Sequence, residues 1–439
     1  MLSKFKKHIA NQFSFLKEKK FLIACSGGVD SMVLVDLCRK LSFTFGIAHC
    51  NFNLRSDESN LDEEFVSKKA EEFEIPMYVQ SFDTKTYAKE NKLSIQMAAR
   101  ALRYQWFFKI ASENGYSYVL TAHHLDDSLE TFLINLSRGT GIEGLVGIPE
   151  VNDIFVRPLL PFTRNQIMEY ATNNSIQWRE DLSNASTKYL RNKIRHTIIP
   201  ELKALHPQFS ENFQTTLKNL KQTNQLLNNE IKRIKNSVFS DKGREGIQID
   251  ISRLLAYGAP EIYVYPLLKE YGFTAWNDMI SILNAQPGKQ LFSQTHRLVK
   301  DRNFLLLTPL VEKLDSEEYH IKENQEELIV PCFGTLKMKE TSDWSRANKH
   351  TIYVDKDKLT YPLYVRKWKK GDYFCPIGMN GNKKKVSKFF KDEKLSILAK
   401  ENVWILSSED QIVWIIKYRA DDRFKISPSS NNIIKLSIN

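Results

Sequence analysis

The stretch FLIACSGGVDSMVL (Phe21–Leu34) joins a short apolar run to a run whose apolar residues have helical spacing. The first run predicts a buried strand and the second predicts a helix. Two glycines, two serines and an aspartate lie between them. Glycines let backbone N–H groups approach a phosphate closely, and the N-terminus of a following helix adds partial positive charge. The stretch therefore favours a phosphate-binding turn over the alternative, an ordinary turn with a Ser or Asp helix cap.

The residue types in this turn suit the phosphates of a nucleotide. Serine hydroxyls donate hydrogen bonds to phosphate oxygens, and a carboxylate either caps the helix or binds Mg²⁺. The predicted phosphate-binding residues are Ser26, Gly27, Gly28, Val29, Asp30 and Ser31, with Asp30 as the metal ligand. The chain has no G-x-x-x-x-G-K-[ST] loop, and no G-x-G-x-x-G turn follows a strand, so this is neither of the two better-known phosphate loops.

Length and composition limit the possible classes of protein. At 439 residues and 42% hydrophobic content, the chain is expected to form two or three domains, and its net charge of +11 is compatible with a polyanionic partner. Five widely spaced cysteines without a C-x-x-C pair argue against a disulfide framework or a zinc ribbon and favour a reducing cytoplasm. The N-terminus has no continuous apolar region of the signal-peptide type, and no stretch approaches 18 apolar residues, so neither secretion nor a membrane span is expected.

Strand-like and helix-like segments alternate from Phe21 to about Leu205. The predicted strands are FLIAC (Phe21–Cys25), TFGIAHC (Thr44–Cys50), MYVQSF (Met77–Phe82) and YVLTAH (Tyr118–His123). Strands separated by helices of this length indicate an α/β fold, a parallel sheet with helices on both faces. Ligands bind beyond the carboxyl ends of the strands in such a sheet, which is where the glycine-rich turn lies.

The composition changes twice further along the chain. A long Asn-, Gln- and Lys-rich helical pattern follows His206, and a β-rich region with a lysine-dense stretch begins near Val311. We therefore predict three domains. They are a catalytic domain (residues 1–205), a helical or mixed middle domain (206–310) and a small, basic, β-rich C-terminal domain (311–439).

A second group of polar residues follows the fourth predicted strand, in the sequence TAHHLDDSLETFLINLSRGTG. Asp127 and Glu130 are three residues apart and so share a face of the next helix, as do Asp126 and Glu130. Acidic residues at a helix N-terminus are common without any function, and a dedicated metal site is a further alternative. The third interpretation is a carboxylate cluster that binds a cationic substrate and accepts its proton.

The S-G-G-V-D-S turn resembles the pyrophosphate-binding loop of the N-type ATP pyrophosphatases, the PP-loop enzymes. Together with TAHHLDD, the sequence resembles the bacterial tRNA(Ile)-lysidine synthetases. Further matching segments occur in order: HCNFNLR (His49–Arg55), AARALRY (Ala98–Tyr104), RPLL (Arg157–Leu160), DLSNASTKYLRNKIRHTIIP (Asp181–Pro200) and VRKWKKGDYFCPIGMNGNKKKVSKFFKDEK near the C-terminus. One departure is Ser128, where many members of that family carry glutamine.

The resemblance implies an adenine-nucleotide-hydrolase-like domain that uses ATP and Mg²⁺. It implies adenylation of the wobble cytidine of a tRNA(Ile) with a CAU anticodon, followed by attack of the ε-amine of L-lysine and release of AMP. Asp127 and Glu130 are implied to bind and deprotonate lysine, and His123 and Arg100 to stabilise charge near the α-phosphate. Asn184 and Arg195 are implied to close the site, beside the metal ligand Asp30. No obligate protein partner and no membrane are expected.

The lysine-dense stretch near the C-terminus is the predicted RNA-binding surface. Its basic residues alternate with aromatic residues, a pattern that suits phosphate contact combined with base stacking. The predicted RNA-binding residues are Arg366, Lys367, Lys369, Lys370, Lys383, Lys384 and Lys385. The alternative is a solvated charged face whose aromatic residues, such as Phe389 and Phe390, belong to the core.

Three other functions compete with lysidine formation. A glutamine-dependent amidotransferase of the same superfamily would need an ammonia source, and no glutaminase domain is evident in the sequence. A PP-loop tRNA thiolase would generally need cysteines to carry sulfur, commonly paired, and the cysteines here are isolated. A nucleotide-dependent RNA-binding protein without catalysis would not need the acidic residues Asp30, Asp127 and Glu130. The sequence does not identify the residues that reject a methionine tRNA with the same anticodon.

Overall fold

The computed structural model describes residues 1–54, 57–180, 190–243, 246–310, 318–330, 333–344, 347–379, 381–428 and 430–438. The chain divides into two compact units, residues 1–228 and 229–439. The predicted domain limits of 1–205, 206–310 and 311–439 stay predictions. No helix in the described part of the chain is long and apolar enough to cross a lipid bilayer.

The first unit alternates strands and helices, as the sequence predicts. Its elements are α1 (Leu2–Gln12), β1 (Phe21–Ala24), α2 (Val29–Lys40), β2 (Phe45–Asn51), α3 (Asp57–Glu72), β3 (Met77–Ser81), α4 (Thr84–Glu90), α5 (Ile95–Glu113), β4 (Tyr118–Leu120), α6 (Leu125–Ser137), α7 (Ile142–Leu145), β5 (Val151–Asn152), β6 (Phe155–Val156), α8 (Arg164–Asn173), α9 (Leu190–Lys193), α10 (Ile199–Leu205) and α11 (Phe209–Val238), which continues into the second unit. A π-helical turn, Ile194–Ile198, joins α9 to α10.

A six-stranded sheet in the order β3-β2-β1-β4-β6-β5 forms the centre of this unit. All neighbouring strands are parallel except β5, which pairs antiparallel with β6. Strand β1 lies in the middle of the sheet and pairs with β2 on one side and β4 on the other. The predicted parallel α/β fold is confirmed, although the short elements α4, β5 and β6 were not predicted.

The central strand β1 contributes to a hydrophobic core on each face of the sheet. Phe21 and Ile23 pack in a cluster with residues of α1, α2, α3 and α8, whereas Leu22 packs in a second cluster with Trp106 and Phe107 of α5. Successive side chains of a strand point to opposite faces, so this division follows directly from the apolar run. Because β1 is buried on both faces of the sheet, the position of its carboxyl end, where the glycine-rich turn begins, is held by both cores.

The second unit is mainly antiparallel. Its elements are β7 (Phe239–Asp241), β8 (Ile247–Asp250), α12 (Ile251–Leu255), α13 (Pro260–Leu268), α14 (Trp276–Ser281), β9 (Gln290–Phe292), β10 (His296–Asp301), β11 (Phe304–Pro309), β12 (Tyr319–Ile321), β13 (Glu327–Val330), β14 (Gly334–Glu340), β15 (Thr351–Asp355), β16 (Leu363–Lys367), β17 (Tyr373–Phe374), β18 (Lys384–Lys385), α15 (Val386–Asp392), α16 (Ile397–Glu401), β19 (Trp404–Ser408), β20 (Gln411–Ile415), β21 (Arg419–Ala420) and β22 (Ile433–Ile438).

Two hydrophobic cores organise most of the second unit. The first lies between the sheet β7-β8-β11-β10-β9, the helices α12 to α14 and the end of α11. The second lies between the sheets β12-β16-β19-β20-β21 and β13-β14-β22-β15. The β-rich C-terminal region is therefore confirmed, and the mixed middle region contains a complete five-stranded sheet.

Candidate active site

In the turn between β1 and α2, Gly27 has a backbone conformation that residues with a Cβ rarely adopt. Gly27 has a φ of +86°, and a Cβ there would lie 3.2 Å from Cγ2 of Val66. Gly28 is the N-cap residue of α2 and forms no side-chain cap. The first N–H groups of α2 therefore remain available to an anion, as expected for a phosphate-binding turn. We call residues Ser26–Ser31 the phosphate loop.

The hydroxyl groups of the phosphate loop lie side by side. Ser31 Oγ donates a hydrogen bond of 2.8 Å to the carbonyl of Gly28, and Ser26 Oγ lies 3.4 Å from Ser31 Oγ. The side chain of Val29 is buried in the core, so Val29 can contribute only its backbone N–H to a phosphate. The loop thus presents two hydroxyls and several N–H groups within one turn.

A cavity of about 250 Å³ opens at the carboxyl ends of β1, β2 and β4. Its polar lining includes Ser26, Asp30, Ser31, Arg103, His123 and Asp127. The phosphate loop and part of the TAHHLDD segment, which are separate in sequence, therefore meet at one cavity. This is the edge of a parallel sheet at which ligands bind.

Cys25 and Cys50 also line this cavity. Burial raises the pKa of the Cys25 thiol, and burial raises that of Cys50 to about 12. Both side chains are therefore neutral thiols at neutral pH, and neither has the lowered pKa of a reactive cysteine.

One carboxylate oxygen of Asp30 is bonded and the other has no hydrogen-bond partner among the described residues. Its Oδ2 accepts a hydrogen bond of 3.0 Å from Nη1 of Arg164, while its Oδ1 is buried without a hydrogen-bond partner. Mg²⁺ in nucleotide sites is commonly bound by one or two carboxylates together with substrate phosphates. The oxygen of Asp30 that has no hydrogen-bond partner in the described part of the chain lies within the phosphate loop and fits that arrangement. Within the described ranges, no group of three or more His, Cys, Asp or Glu side chains forms a protein-only metal site.

Asp127 lies in the first turn of α6 and faces the cavity. Its Oδ2 accepts a hydrogen bond of 3.0 Å from the backbone N–H of His124. Burial alone would raise the pKa of Asp127, but the rings of His124 and His123, the His124 N–H and Arg191 together bring that pKa below its ordinary value. Asp127 is therefore ionised at neutral pH.

Glu130 is enclosed by two arginines. Its side chain is only 1% exposed, and its two oxygens lie 2.5 Å from Nε of Arg191 and 2.5 Å from Nε of Arg195. The Nη2 atoms of the same two arginines lie 3.3 Å and 3.4 Å from Oδ1 of Asp127. Burial would lower the pKa of Arg195, but its bond to Glu130 raises that pKa above the usual value. We call Asp127, Glu130, Arg191 and Arg195 the carboxylate–arginine cluster.

Asp126 differs from its neighbour Asp127, because it does not line the cavity. It accepts a hydrogen bond of 2.9 Å from the backbone N–H of Arg164 and forms an ion pair with Lys203. Burial would raise its pKa, but Lys203 and the Arg164 N–H bring that pKa below the ordinary value. Asp126 thus connects α6 to α8 and α10, which is a structural role.

His123 lines the cavity but carries no positive charge at neutral pH. Burial lowers its pKa to about 4, and Nδ1 lies 2.8 Å from Oγ1 of Thr121. The ring is neutral at neutral pH, so it can stabilise negative charge only as a hydrogen-bond donor. His124, which sequence reasoning missed, is buried with Nε2 3.7 Å from Asp30 and 3.6 Å from Asp127.

The arginine of the AARALRY segment that lines the cavity is Arg103 rather than Arg100. Arg100 is exposed, and its guanidinium lies 4.7 Å from the centre of the Tyr104 ring. Arg103 is spaced three and seven residues before the buried Trp106 and Ile110, so it shares their inward face of α5. That spacing was the signal available in the sequence. Asn184, also predicted, lies outside the described residues.

The predicted RNA-binding residues divide into two groups. Arg366 forms two hydrogen bonds of 3.0 Å to Asp372, and Lys384 lies 2.7 Å from Asp392. Lys367 is half-buried over the Trp404 ring. The exposed members are Lys369, Lys370, Lys383 and Lys385. Phe389 and Phe390 are core residues, as the alternative interpretation expected.

Comparison with known proteins identifies the family. A "PP-loop domain" profile matches residues 1–202, and a "TilS substrate binding domain" profile matches residues 242–310. A tRNA(Ile)-lysidine synthase of Parabacteroides distasonis is 38% identical over 95% of this chain and 95% of that relative. The chain belongs to the tRNA(Ile)-lysidine synthase family.

Two further members have comparable similarity. The tRNA(Ile)-lysidine synthase of Bacteroides thetaiotaomicron is 38% identical over 98% of this chain and 97% of its own length. That of Porphyromonas gingivalis W83 is 36% identical over 94% and 93%. The similarity to the tRNA(Ile)-lysidine synthase family thus spans nearly the whole chain, so the resemblance predicted from sequence motifs is confirmed. The PP-loop match also confirms the prediction of an ATP-binding domain.

Proposed function

We propose that the protein ligates L-lysine to C2 of the wobble cytidine in a tRNA(Ile) with a CAU anticodon, with release of AMP and pyrophosphate from ATP. As a member of its family it is an ATP-dependent ligase and a tRNA-modifying enzyme. The observation that carries the finer proposal is that the phosphate loop and Asp127 line one cavity. A nucleotide phosphate and a cationic amine can therefore be bound side by side.

In the first step, the 2-oxo oxygen of cytosine attacks the α-phosphorus of ATP, and the bond to the leaving pyrophosphate breaks. Ser26, Ser31 and the first N–H groups of α2 bind the phosphates, and Arg103 offsets negative charge at the cavity wall. The neutral His123 donates a hydrogen bond rather than charge. Mg²⁺ at Asp30 would offset the charge that develops on the leaving pyrophosphate.

In the second step, the lysine ε-nitrogen forms a bond to C2, the C2–O bond breaks, and AMP leaves. A lysine ammonium has an ordinary pKa of about 10.4, so it must lose a proton before or during attack. Asp127 has a lowered pKa. It therefore binds the ammonium well but is a weak base, which favours proton transfer as the C–N bond forms rather than beforehand.

Features of the second unit support tRNA as the substrate. The "TilS substrate binding domain" profile covers residues 242–310. In the C-terminal region, Lys383 lies 4.7 Å above the ring of the exposed Tyr373, and Lys369, Lys370 and Lys385 are exposed nearby in sequence. Cations beside an accessible aromatic ring suit contact with phosphate and base. In this proposal, Arg366 and Lys384 hold the basic surface in shape through their ion pairs with Asp372 and Asp392.

The test is a transfer assay with the full-length protein, labelled ATP, labelled L-lysine and unmodified tRNA(Ile) with a CAU anticodon. We expect lysine to enter this RNA with equimolar AMP, and not to enter a methionine tRNA with the same anticodon. AMP formation without lysine incorporation would retain the adenylation step but reject lysine as substrate, and sulfur or ammonia would then be tested as the nucleophile. Nucleotide binding without AMP formation would indicate a non-catalytic RNA-binding protein.

A further inference from the structure

The charges of the carboxylate–arginine cluster sum to zero. Asp127 and Glu130 supply two negative charges, and Arg191 and Arg195 supply two positive charges. Each guanidinium contacts both carboxylates. A lysine ammonium at the same carboxylates would be a third cation beside two anions, and such an excess charge is unfavourable in a buried site.

The two arginines are not equally enclosed. The Arg191 side chain is 45% exposed, whereas that of Arg195 is 28% exposed. Arg195 also interacts with Asp30, an additional attraction that contributes to its raised pKa. Arg191 thus has the lower desolvation and the easier path to solvent, so it is the arginine that can leave Glu130 at the smaller cost.

We infer that Arg191 competes with the lysine ammonium for Asp127 and Glu130, and that substrate lysine displaces it. This inference rests on the proposed function, in which these carboxylates bind lysine. Exchange of one cation for another keeps the cluster neutral. The competition weakens lysine binding, and it excludes uncharged amine analogues, because a neutral group cannot replace the charge that Arg191 supplies.

The direct test is lysine affinity rather than turnover. Equilibrium dialysis would measure binding of radiolabelled L-lysine to the full-length protein in the presence of Mg²⁺ and α,β-methylene-ATP, which cannot transfer adenylate. We expect Arg191→Gln to bind lysine about tenfold more tightly than the unmodified protein, the scale of one charge-assisted hydrogen bond. The matched control is Lys193→Gln, which removes a positive charge from an exposed side chain of the same helix and should leave lysine affinity unchanged. Unchanged or weaker binding by Arg191→Gln would overturn the inference.

A second variant separates this inference from the proposed function. Asp127→Asn should abolish lysine binding if the carboxylates form the lysine site. Full binding by Asp127→Asn would reject that site. Lost binding by Asp127→Asn without a gain in Arg191→Gln would reject only the competition. Thermal melting would check folding, and if Arg191→Gln fails to fold, Arg191→Lys, which has one ammonium in place of a two-pronged guanidinium, is expected to strengthen binding about threefold.

Discussion

The phosphate loop and Asp127 of the carboxylate–arginine cluster line one cavity, but the loop and the cluster are stabilised by different means. The loop is built from six consecutive residues, and its shape depends on the backbone of Gly27 and on short hydrogen bonds between neighbours. In the cluster, two carboxylates on α6 pair with two arginines more than sixty positions later, one on α9 and one on the π-helical turn that follows it. The loop should therefore be sensitive to changes of backbone geometry, and the cluster to changes of charge.

The largest effect should come from a change of charge at Asp127. Asp127→Asn keeps the shape of the side chain but removes the anion proposed to bind lysine, so lysine transfer should fall about 10²- to 10⁴-fold. Asp126→Asn is the matched control, because Asp126 pairs with Lys203 away from the cavity. That variant should lower the melting temperature and affect transfer far less. Equal losses of transfer in the two variants would contradict the separation of their roles.

A change of backbone geometry should have the next largest effect. Gly27→Ala places a Cβ at a φ of +86° and 3.2 Å from Val66, which should cost about 2 kcal/mol and weaken ATP binding at least tenfold. Gly28→Ala is the comparison for stability, since Gly28 has a φ of −74° and a Cβ there would meet only Ser26 Oγ at 3.5 Å. Melting curves and nucleotide titrations would measure both. If the Gly28 variant melted lower than the Gly27 variant, strain at Gly27 would not be the controlling feature.

The burial of His123 predicts a dependence of stability on pH. Its folded pKa of about 4 lies below the ordinary 6.5, so the unfolded chain binds a proton more readily than the folded protein. The stability that this neutral ring contributes is complete above pH 6.5 and is lost as the pH falls towards 4. At pH 5 the loss should be roughly 2 kcal/mol. Between pH 7 and pH 5, denaturant unfolding should therefore show a smaller fall for His123→Gln than for the unmodified protein, and an equal fall would contradict the lowered pKa.

The smallest effect concerns the basic surface of the second unit, where an exposed lysine can be compared with a lysine held in an ion pair. Lys383→Ala should weaken tRNA binding a few-fold and reduce the slope of log affinity against log salt by about 1. Lys384→Ala should change that slope less, because Lys384 is already paired with Asp392. Filter binding at several salt concentrations would compare them. Equal slopes would show that the ion pair does not withhold Lys384 from RNA.

The contrast between the two regions also explains what the sequence could predict. The phosphate loop is local, so its glycines, serines and Asp30 could be proposed from their residue types and their position between a predicted strand and a predicted helix. The carboxylate–arginine cluster is not local. Asp127 and Glu130 were recognisable because they share a helix face, but nothing in the sequence pattern brought Arg191 to Glu130 or distinguished Asp126 from Asp127.

The remaining differences between prediction and structure concern which way a side chain faces and which charges form ion pairs. Arg100 rather than Arg103 was predicted as a site residue, although Arg103 lies three residues before the buried Trp106 and so shares its inward face of α5. Arg366 and Lys384 were grouped with exposed lysines because charge is visible in a sequence and ion pairing is not. The parallel α/β class of the sheet was predictable, whereas strands as short as β5 and β6 have too few residues to show a period.

The two cysteines of the cavity wall have a consequence for chemical durability. A thiol with a pKa of about 12, as at Cys50, is ionised in fewer than one in ten thousand molecules at neutral pH, and only the thiolate reacts readily with peroxides, disulfides or alkylating reagents. Burial also raises the pKa of the Cys25 thiol, which lowers its reactivity in the same way. Two sulfur atoms thus line the cavity as neutral thiols, and we expect neither to react readily with oxidants at neutral pH.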